Sequence, residues 1–223
     1  MKQTGNTILV TGGTSGIGRE LALRFAALGN TVIVAGRRQA LLDEVAAAHP
    51  GIHGVVLDVE DAQSLARFAD RIKAEHPMLN VLINNAGIMR YEDAAQGRDL
   101  ADAEATIETN LLGPIRLIDA FVDHLGARND AAIVNVTSGL AFVPLSATPT
   151  YCATKAALHS YTVSLRELLR GRVEVIELAP PAVQTDLTPG QKTRAGYLPL
   201  ADFMDEVMAL FAEVPTPPEI LVE

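Results

Sequence analysis

A tyrosine and a lysine stand four positions apart in the run Thr148-Pro149-Thr150-Tyr151-Cys152-Ala153-Thr154-Lys155. Thr148 can cap a helix and Pro149 suits its first position, so a helix is predicted to follow. On a helix, residues i and i+4 share a face, and the Tyr151 phenol and Lys155 ammonium project together. A cation near a phenol favours phenolate and lowers its pKa, which is one way to build a general acid/base that works near neutral pH. The same two-residue pattern occurs on many surface helices, so its meaning depends on the rest of the chain. Cys152 points about 100° away around the helix and reads as packing. His159 continues the Tyr151/Lys155 face and reads as an interface or core histidine. No His, Cys, Asp or Glu cluster has metal-ligand spacing, so no metal is predicted.

A second chemical feature lies near the start. Thr7–Thr11 reads as a strand and runs into Gly12-Gly13-Thr14-Ser15-Gly16-Ile17-Gly18, after which a helix begins. Glycines permit positive φ and close backbone approach. A helix N-terminus offers unpaired N–H groups and a positive dipole end to a pyrophosphate. The spacing is Thr-Gly-x-x-x-Gly-x-Gly rather than G-x-G-x-x-G, yet its place between the first strand and first helix marks a dinucleotide loop. An NAD-preferring site carries an acid at the end of the second strand, against the ribose 2′-hydroxyl. Here that strand ends Val34-Ala35-Gly36-Arg37-Arg38. A guanidinium suits a 2′-phosphate, so NADP(H) is predicted in preference to NAD(H), with Arg37 the first choice, Arg38 the second, and Thr14 or Ser15 assisting.

The elements that must position these groups follow from patterning. Short β-branched runs at Thr7–Thr11, Thr31–Ala35, Gly54–Asp58, Val81–Asn84, Ala131–Thr137 and Val173–Leu178 alternate with helical stretches at Gly16–Leu28, Gln39–His49, Ala62–Glu75, Ala101–Leu125 and Pro149–Leu169. Several strand runs are almost continuously apolar, as expected when both faces are covered. The alternation implies an α/β chain, a Rossmann fold with a doubly wound parallel sheet of six or seven strands. The 223 residues read as a single domain, with no repeat or long linker. A net charge of −9 argues against nucleic acid and against an anionic membrane surface as partners. The only cysteine, Cys152, excludes an intrachain disulfide and fits a cytoplasmic setting. No apolar run approaches the roughly 20 residues of a membrane span.

Pro180–Pro199 is rich in proline and has no clean period. It reads as a long loop just after a strand, where open α/β sheets bind ligands, and so as a substrate lid. Leu200–Phe211 reads as an amphipathic helix. Thr216-Pro217-Pro218-Glu219 resembles a capping box, while Ile220-Leu221-Val222 reads equally well as a final strand. Either element is unfinished where the chain stops, so further residues are expected beyond Glu223.

With the glycine loop and the Tyr/Lys pair on one such chain, the sequence resembles the short-chain dehydrogenase/reductase family over nearly its full length. Thr11-Gly12-x-x-x-Gly16-x-Gly18 matches the family's cofactor loop, Asp58-Val59 its adenine-contacting position, and Asn84-Asn85-Ala86-Gly87 the motif after the fourth strand. Asn110, Ser138, Tyr151 and Lys155 match the catalytic tetrad. Pro180-Pro181-x-x-x-Thr185 resembles the nicotinamide-side motif, with Pro181 where glycine is usual, and Val183 between them. The stretch Ser138–Lys155 and the tail Pro218–Glu223 are similar to a subgroup associated with teichoic-acid D-alanylation genes. The resemblance implies that Tyr151 exchanges a proton with the substrate oxygen, that Lys155 depresses its pKa and bonds the nicotinamide ribose, and that Ser138 hydrogen-bonds the carbonyl. It also implies a homodimer or homotetramer through the helices carrying Asn110 and Tyr151.

Asn110 carries a backbone argument as well. Pro114 has no N–H, so the Asn110 carbonyl loses its usual helical partner, and Gly113 eases a kink. Water is the natural replacement, which fits the proton-relay water that the family holds at this position. Leu140, Phe142, Val143, Met89, Val183 and the loop around Leu187 are candidate substrate contacts, mostly apolar, which points to a hydrophobic or aromatic carbonyl compound. Arg90, Lys192 and Arg194 could bind an acidic group, although loop cations are usually solvated. The expected activity is NADP(H)-dependent hydride transfer between nicotinamide and a small-molecule carbonyl or secondary alcohol. Alternatives are reduction of a 3-oxoacyl thioester or, in a different class, a non-catalytic NADP-binding regulatory protein.

Overall fold

The computed structural model describes residues 1–222. Strands β1 (Thr7–Thr11), β2 (Thr31–Gly36), β3 (Ile52–Val56), β4 (Val81–Asn84), β5 (Ala132–Val136), β6 (Glu174–Ala179) and β7 (Glu219–Leu221) form one sheet in the order β3-β2-β1-β4-β5-β6-β7. Every pairing is parallel. The connections run through α1 (Gly16–Ala27), α2 (Gln39–Ala48), α3 (Ala62–Glu75), α4 (Ala101–Ile107), α5 (Gly113–Gly126), α6 (Pro149–Leu168) and α7 (Leu200–Phe211). Among the described residues no helix is long and apolar enough to cross a membrane.

Strand periodicity sorts the apolar side chains into two cores. Ile8 and Val10 of β1, Val32 and Val34 of β2, and Ile176 and Leu178 of β6 face one side, where Leu21 and Phe25 of α1, Leu42 of α2 and Phe203 and Phe211 of α7 pack on them. The intervening Leu9, Ile33 and Val175 face the other, against Phe68 and Ile72 of α3, Phe121 of α5 and Leu165 of α6. Each such buried side chain contributes about 1.5–3 kcal/mol of transfer free energy. Winding reverses where β1 lies beside β4, and the crevice at their carboxyl ends is the ligand position of such sheets.

Two elements differ from the sequence reading, and a third settles between its two alternatives. β3 begins at Ile52 rather than Gly54, because Val32–Gly36 of β2 take Ile52–Val56 as partners. It is an edge strand with an exposed His53, so no apolar run announced its start, and Asp58 falls in the loop beyond it. The predicted helix Ala101–Leu125 is interrupted by a π-helical turn at Glu108–Leu112, where the Gly113 amide bonds the Glu108 carbonyl. Pro114 cannot donate to Asn110, and the ladder shifts by one residue at the turn before it. The chain end resolves as a strand, β7, paired with β6, so the capping-box alternative for Thr216–Glu219 does not form. The tail reading extended to Glu223, which lies outside the described residues.

Candidate active site

The loops after β1 and β4 are latched together. Asn85 Nδ2 donates to the carbonyls of Thr11 at 3.0 Å and Gly12 at 3.1 Å. In return Thr11 Oγ1 accepts from the amides of Asn85 at 3.1 Å and Ala86 at 3.2 Å. The packing leaves no room for side chains. Gly12 has φ +64°, and a Cβ there would meet Ala86 Cα at 2.7 Å, while a Cβ on Gly18 would meet Asn85 Nδ2 at 2.2 Å. Thr14, Ser15, Gly16 and Ile17 line the cleft, whereas Gly18, also expected at the cofactor, is not part of the lining and packs against Asn85. Ser15 takes the N-cap position of α1 with no side-chain cap bond, and the first turn of α1 holds no acidic residue. That helix end therefore suits a diphosphate, and the residues present fit a dinucleotide.

The cleft has a volume of about 650 Å³ and runs along the carboxyl ends of the strands. At the β2 end it is lined by Arg37, Arg38, Asp58 and Val59. Arg37 is 58% exposed and touches Glu60 Oε1 at 3.5 Å, a contact weak enough to leave the guanidinium available. Glu60 itself is held by Thr109 Oγ1 at 2.6 Å. Asp58 Oδ1 accepts from the Glu60 amide at 3.1 Å and so shapes the turn after β3.

At the other end stand Ser138, Tyr151 and Lys155, all buried. Ser138 follows β5 and caps a short 3-10 turn, Gly139–Ala141, through the Leu140 amide at 3.1 Å. Burial pushes the Tyr151 phenol up to about 12; the Ser138 hydroxyl pulls it down and Cys152 pushes it up further. Lys155, expected to depress that pKa, is not among the causes. Its Nζ lies 5.6 Å from the phenol ring centroid and donates to the Val136 carbonyl at 2.8 Å. Burial lowers Lys155 itself to about 8. Desolvation thus outweighs mutual attraction: both groups lean toward neutrality.

Asn110 works behind this wall. Its Oδ1 accepts from the Ile88 amide and its Nδ2 donates to the Ile88 carbonyl, both at 2.8 Å, and Nδ2 also reaches Thr154 Oγ1 at 3.3 Å. A second tie comes from Glu92, which sequence reasoning missed. Its carboxylate accepts from the Thr150 amide at 3.1 Å and the Thr150 hydroxyl at 2.7 Å, and Arg98 pairs with it at 2.6 Å. Thr148 was expected to cap α6, but its side chain makes no cap bond and lies 3.6 Å from Cys152 Sγ. Glu92 does the capping from the loop after β4.

The Pro180–Pro199 loop contributes Pro181, Val183, Thr185 and Leu187 to the cleft. Gln191, also unforeseen, pins it: Nε2 donates to the Val183 carbonyl at 2.8 Å and to Thr185 Oγ1 at 3.0 Å. Asn85, Ala86, Gly87, Ile88 and Arg90 line the cleft from the β4 side. Met89, Leu140 and Phe142, expected near the substrate, are not part of the lining. The 3-10 turn after Ser138 carries Leu140 and Phe142 away, and Phe142 packs its edge on His159 with ring centroids 4.7 Å apart. On β6 lies a fully buried carboxylate, Glu177, held by Thr137 Oγ1 at 2.5 Å and His159 Nδ1 at 2.8 Å.

Comparison with known proteins places this arrangement. A family model described as short chain dehydrogenase matches residues 6–195. The chain is 47% identical over 199 residues to the uncharacterized oxidoreductase DltE of Bacillus subtilis, covering 88% of this chain and 79% of that one. It is 36% identical over 188 residues to sulfoacetaldehyde reductase 2 of Chromohalobacter salexigens, covering 81% and 74%. Among solved structures, the closed form of a serine dehydrogenase complexed with NADP+ superposes with a TM-score of 0.85 at 26% identity, covering 96% of this chain and 92% of that one.

Proposed function

The chain belongs to the short-chain dehydrogenase family, and from that premise we propose that it is an NADP(H)-dependent oxidoreductase interconverting a small carbonyl compound and its alcohol. The observation that carries the reading is the convergence of Ser138, Tyr151 and Lys155 on one end of a cleft whose other end holds Arg37 and Arg38.

When bound, the cofactor supplies a hydride at nicotinamide carbon C4 or accepts one there. The rest falls to the chain. The glycine loop and α1 hold the diphosphate, and Arg37, with Arg38 beside it, takes the 2′-phosphate. The Ser138 hydroxyl orients the substrate oxygen beside Tyr151. Tyr151, kept neutral by burial, is ready to give its proton to that oxygen in reduction. Oxidation needs the phenolate, so Lys155 must turn from the Val136 carbonyl toward the occupied site, where its charge counts. Asn110 keeps the β4 loop against α6 while this happens.

Two of the relatives are named for sulfoacetaldehyde and for serine, each bearing an acid group a few bonds from the carbon that changes oxidation state. We read the same size class for this chain. Exposed Ile107 and Val163, on the helical segments carrying Asn110 and Tyr151, support assembly into a homo-oligomer through those helices.

Tyr151→Phe tests the reading. Turnover should be lost with any carbonyl substrate that the wild type reduces, while NADPH still binds. Wild-type turnover in this variant would refute it.

A further inference from the structure

We propose that Arg90 receives an acidic group of the substrate, so that the compounds handled are short carbonyl acids and hydroxy acids bearing a carboxylate or a sulfonate. This deepens the carbonyl–alcohol reading above and rests on it.

Arg90 sits midway between two anchored residues. Ile88 is bonded through both backbone groups to the Asn110 side chain, which reaches on to Thr154 of α6. Glu92 donates its amide to the Ala147 carbonyl at 2.9 Å and takes both donors of Thr150. Thr150 and Thr154 bracket Tyr151 on α6. Two residues of extended chain span at most roughly 7 Å, so Arg90 cannot stray from either anchor. Its side chain lines the same cleft as Ser138 and Tyr151.

The charge of Arg90 is also uncommitted. Its side chain is 46% exposed, and its ion pair is a single contact from Nε to Asp102 Oδ1 at 3.5 Å. The other cations of the cleft lining lie at its far end or are buried. Arg37 and Arg38 follow β2 on the far side of β1, and Lys155 is buried with its Nζ on Val136. Asp186, an acid of the lining, is countered by Lys192 at 3.3 Å. A guanidinium fork matches two oxygens of one anion, and carboxylate and sulfonate both offer them. A chain with net charge −9 repels anions at large, so an anionic substrate needs a local cation beside the reacting carbon. Short spacing follows, because Arg90 is tied to the turn that carries the phenol.

The test uses the full chain with NADP+ bound. Malonate, which mimics 3-oxopropanoate, is titrated calorimetrically into wild type, Arg90→Met and Arg90→Lys. Binding should weaken at least tenfold in Arg90→Met and recover in part in Arg90→Lys. In turnover, 3-hydroxypropanoate should exceed its methyl ester at least tenfold in kcat/KM, and Arg90→Met should collapse that ratio toward one. Sulfoacetaldehyde against acetaldehyde, with NADPH, applies the same ratio to a sulfonate, and Arg90→Met should collapse it as well. Malonate that fails to bind wild type, or binds Arg90→Met equally well, overturns the proposal, as does an acid preference that survives the substitution. A wild-type chain that binds malonate through Arg90 yet turns over nothing would refute the oxidoreductase reading and leave the anion site standing.

Discussion

Glu92 and Thr150 are 58 residues apart in sequence and joined by two hydrogen bonds, one to the amide and one to the hydroxyl. The Glu92 side chain is 4% exposed, and its partner immediately precedes Tyr151. A carboxylate at a helix N-terminus satisfies orphan amides and complements the dipole. The angle at which the phenol enters the cleft is therefore set in part by the loop after β4. Glu92→Ala should cost about 1–2 kcal/mol of stability and lower kcat about tenfold, with a smaller effect on NADPH affinity. Glu92→Gln, which keeps an acceptor for the Thr150 amide, should restore most of kcat. Steady-state kinetics paired with hydrogen exchange over the first turn of α6 decides it; fast exchange with wild-type kcat would dismiss the positioning role.

The phenol at about 12 predicts different pH behaviour in the two directions. Reduction uses the neutral form, so its kcat should stay level from pH 6 to 8. Oxidation uses the phenolate, whose fraction grows as pH approaches the phenol's pKa, so its kcat should climb through pH 9. Full pH profiles in both directions would expose the opposite pattern.

Lys155 makes a stability prediction with a definite sign. Its folded pKa, about 8, lies below the ordinary 10.5, so between those values the unfolded chain binds more protons and stability rises with pH. Below pH 8 the buried charge costs roughly 3 kcal/mol in full; above pH 10.5 the cost is gone. Lys155→Met removes this dependence. The stability difference between variant and wild type should move in favour of wild type as pH rises from 7 to 10, measured by urea unfolding. A constant difference would mean that the ammonium is not desolvated.

Arg37 should decide between the two nicotinamide cofactors. Arg37→Ala should weaken NADPH binding by one to two orders of magnitude, the worth of a charge-assisted contact of about 1.5–3 kcal/mol, and change NADH binding little. Fluorescence titration of both cofactors checks this, and an equal loss for both would remove the 2′-phosphate assignment.

Gly18 is a test of the latch between the β1 and β4 loops. A methyl group at Gly18 would lie 2.2 Å from Asn85 Nδ2 and 2.5 Å from the Gly12 carbonyl. Gly18→Ala must break the Asn85 bonds or shift the loop, costing about 1–3 kcal/mol. Thermal unfolding and cofactor titration should fall together.

The sheet was legible because its strands are nearly pure aliphatic runs, and the glycine loop because local chemistry alone demands it. Six of the strands were visible from residues such as Ile8, Val32 and Leu82; β7 stayed ambiguous because Pro217 and Pro218 also suit a helix start. What failed depended on contacts far apart in sequence or on burial. Thr148 looked like the cap of α6, but nothing local to it reveals Glu92. Phe142 looked like a substrate contact until the 3-10 turn swung it onto His159. Tyr151 and Lys155 share a face as the spacing requires, yet the sequence carries no measure of how deeply both are desolvated.

The π turn at Glu108–Leu112 makes α4 and α5 one rod with a residue more than an α-helical path needs. Removing one residue from that turn would tighten it to an α-helical path, in which Pro114 crowds the carbonyl four residues before it and offers no N–H. Asn110 could not then face both Ile88 and Thr154. Length in this segment is therefore critical: a single deletion would remove the wide turn that aims Asn110 at Ile88 and Thr154.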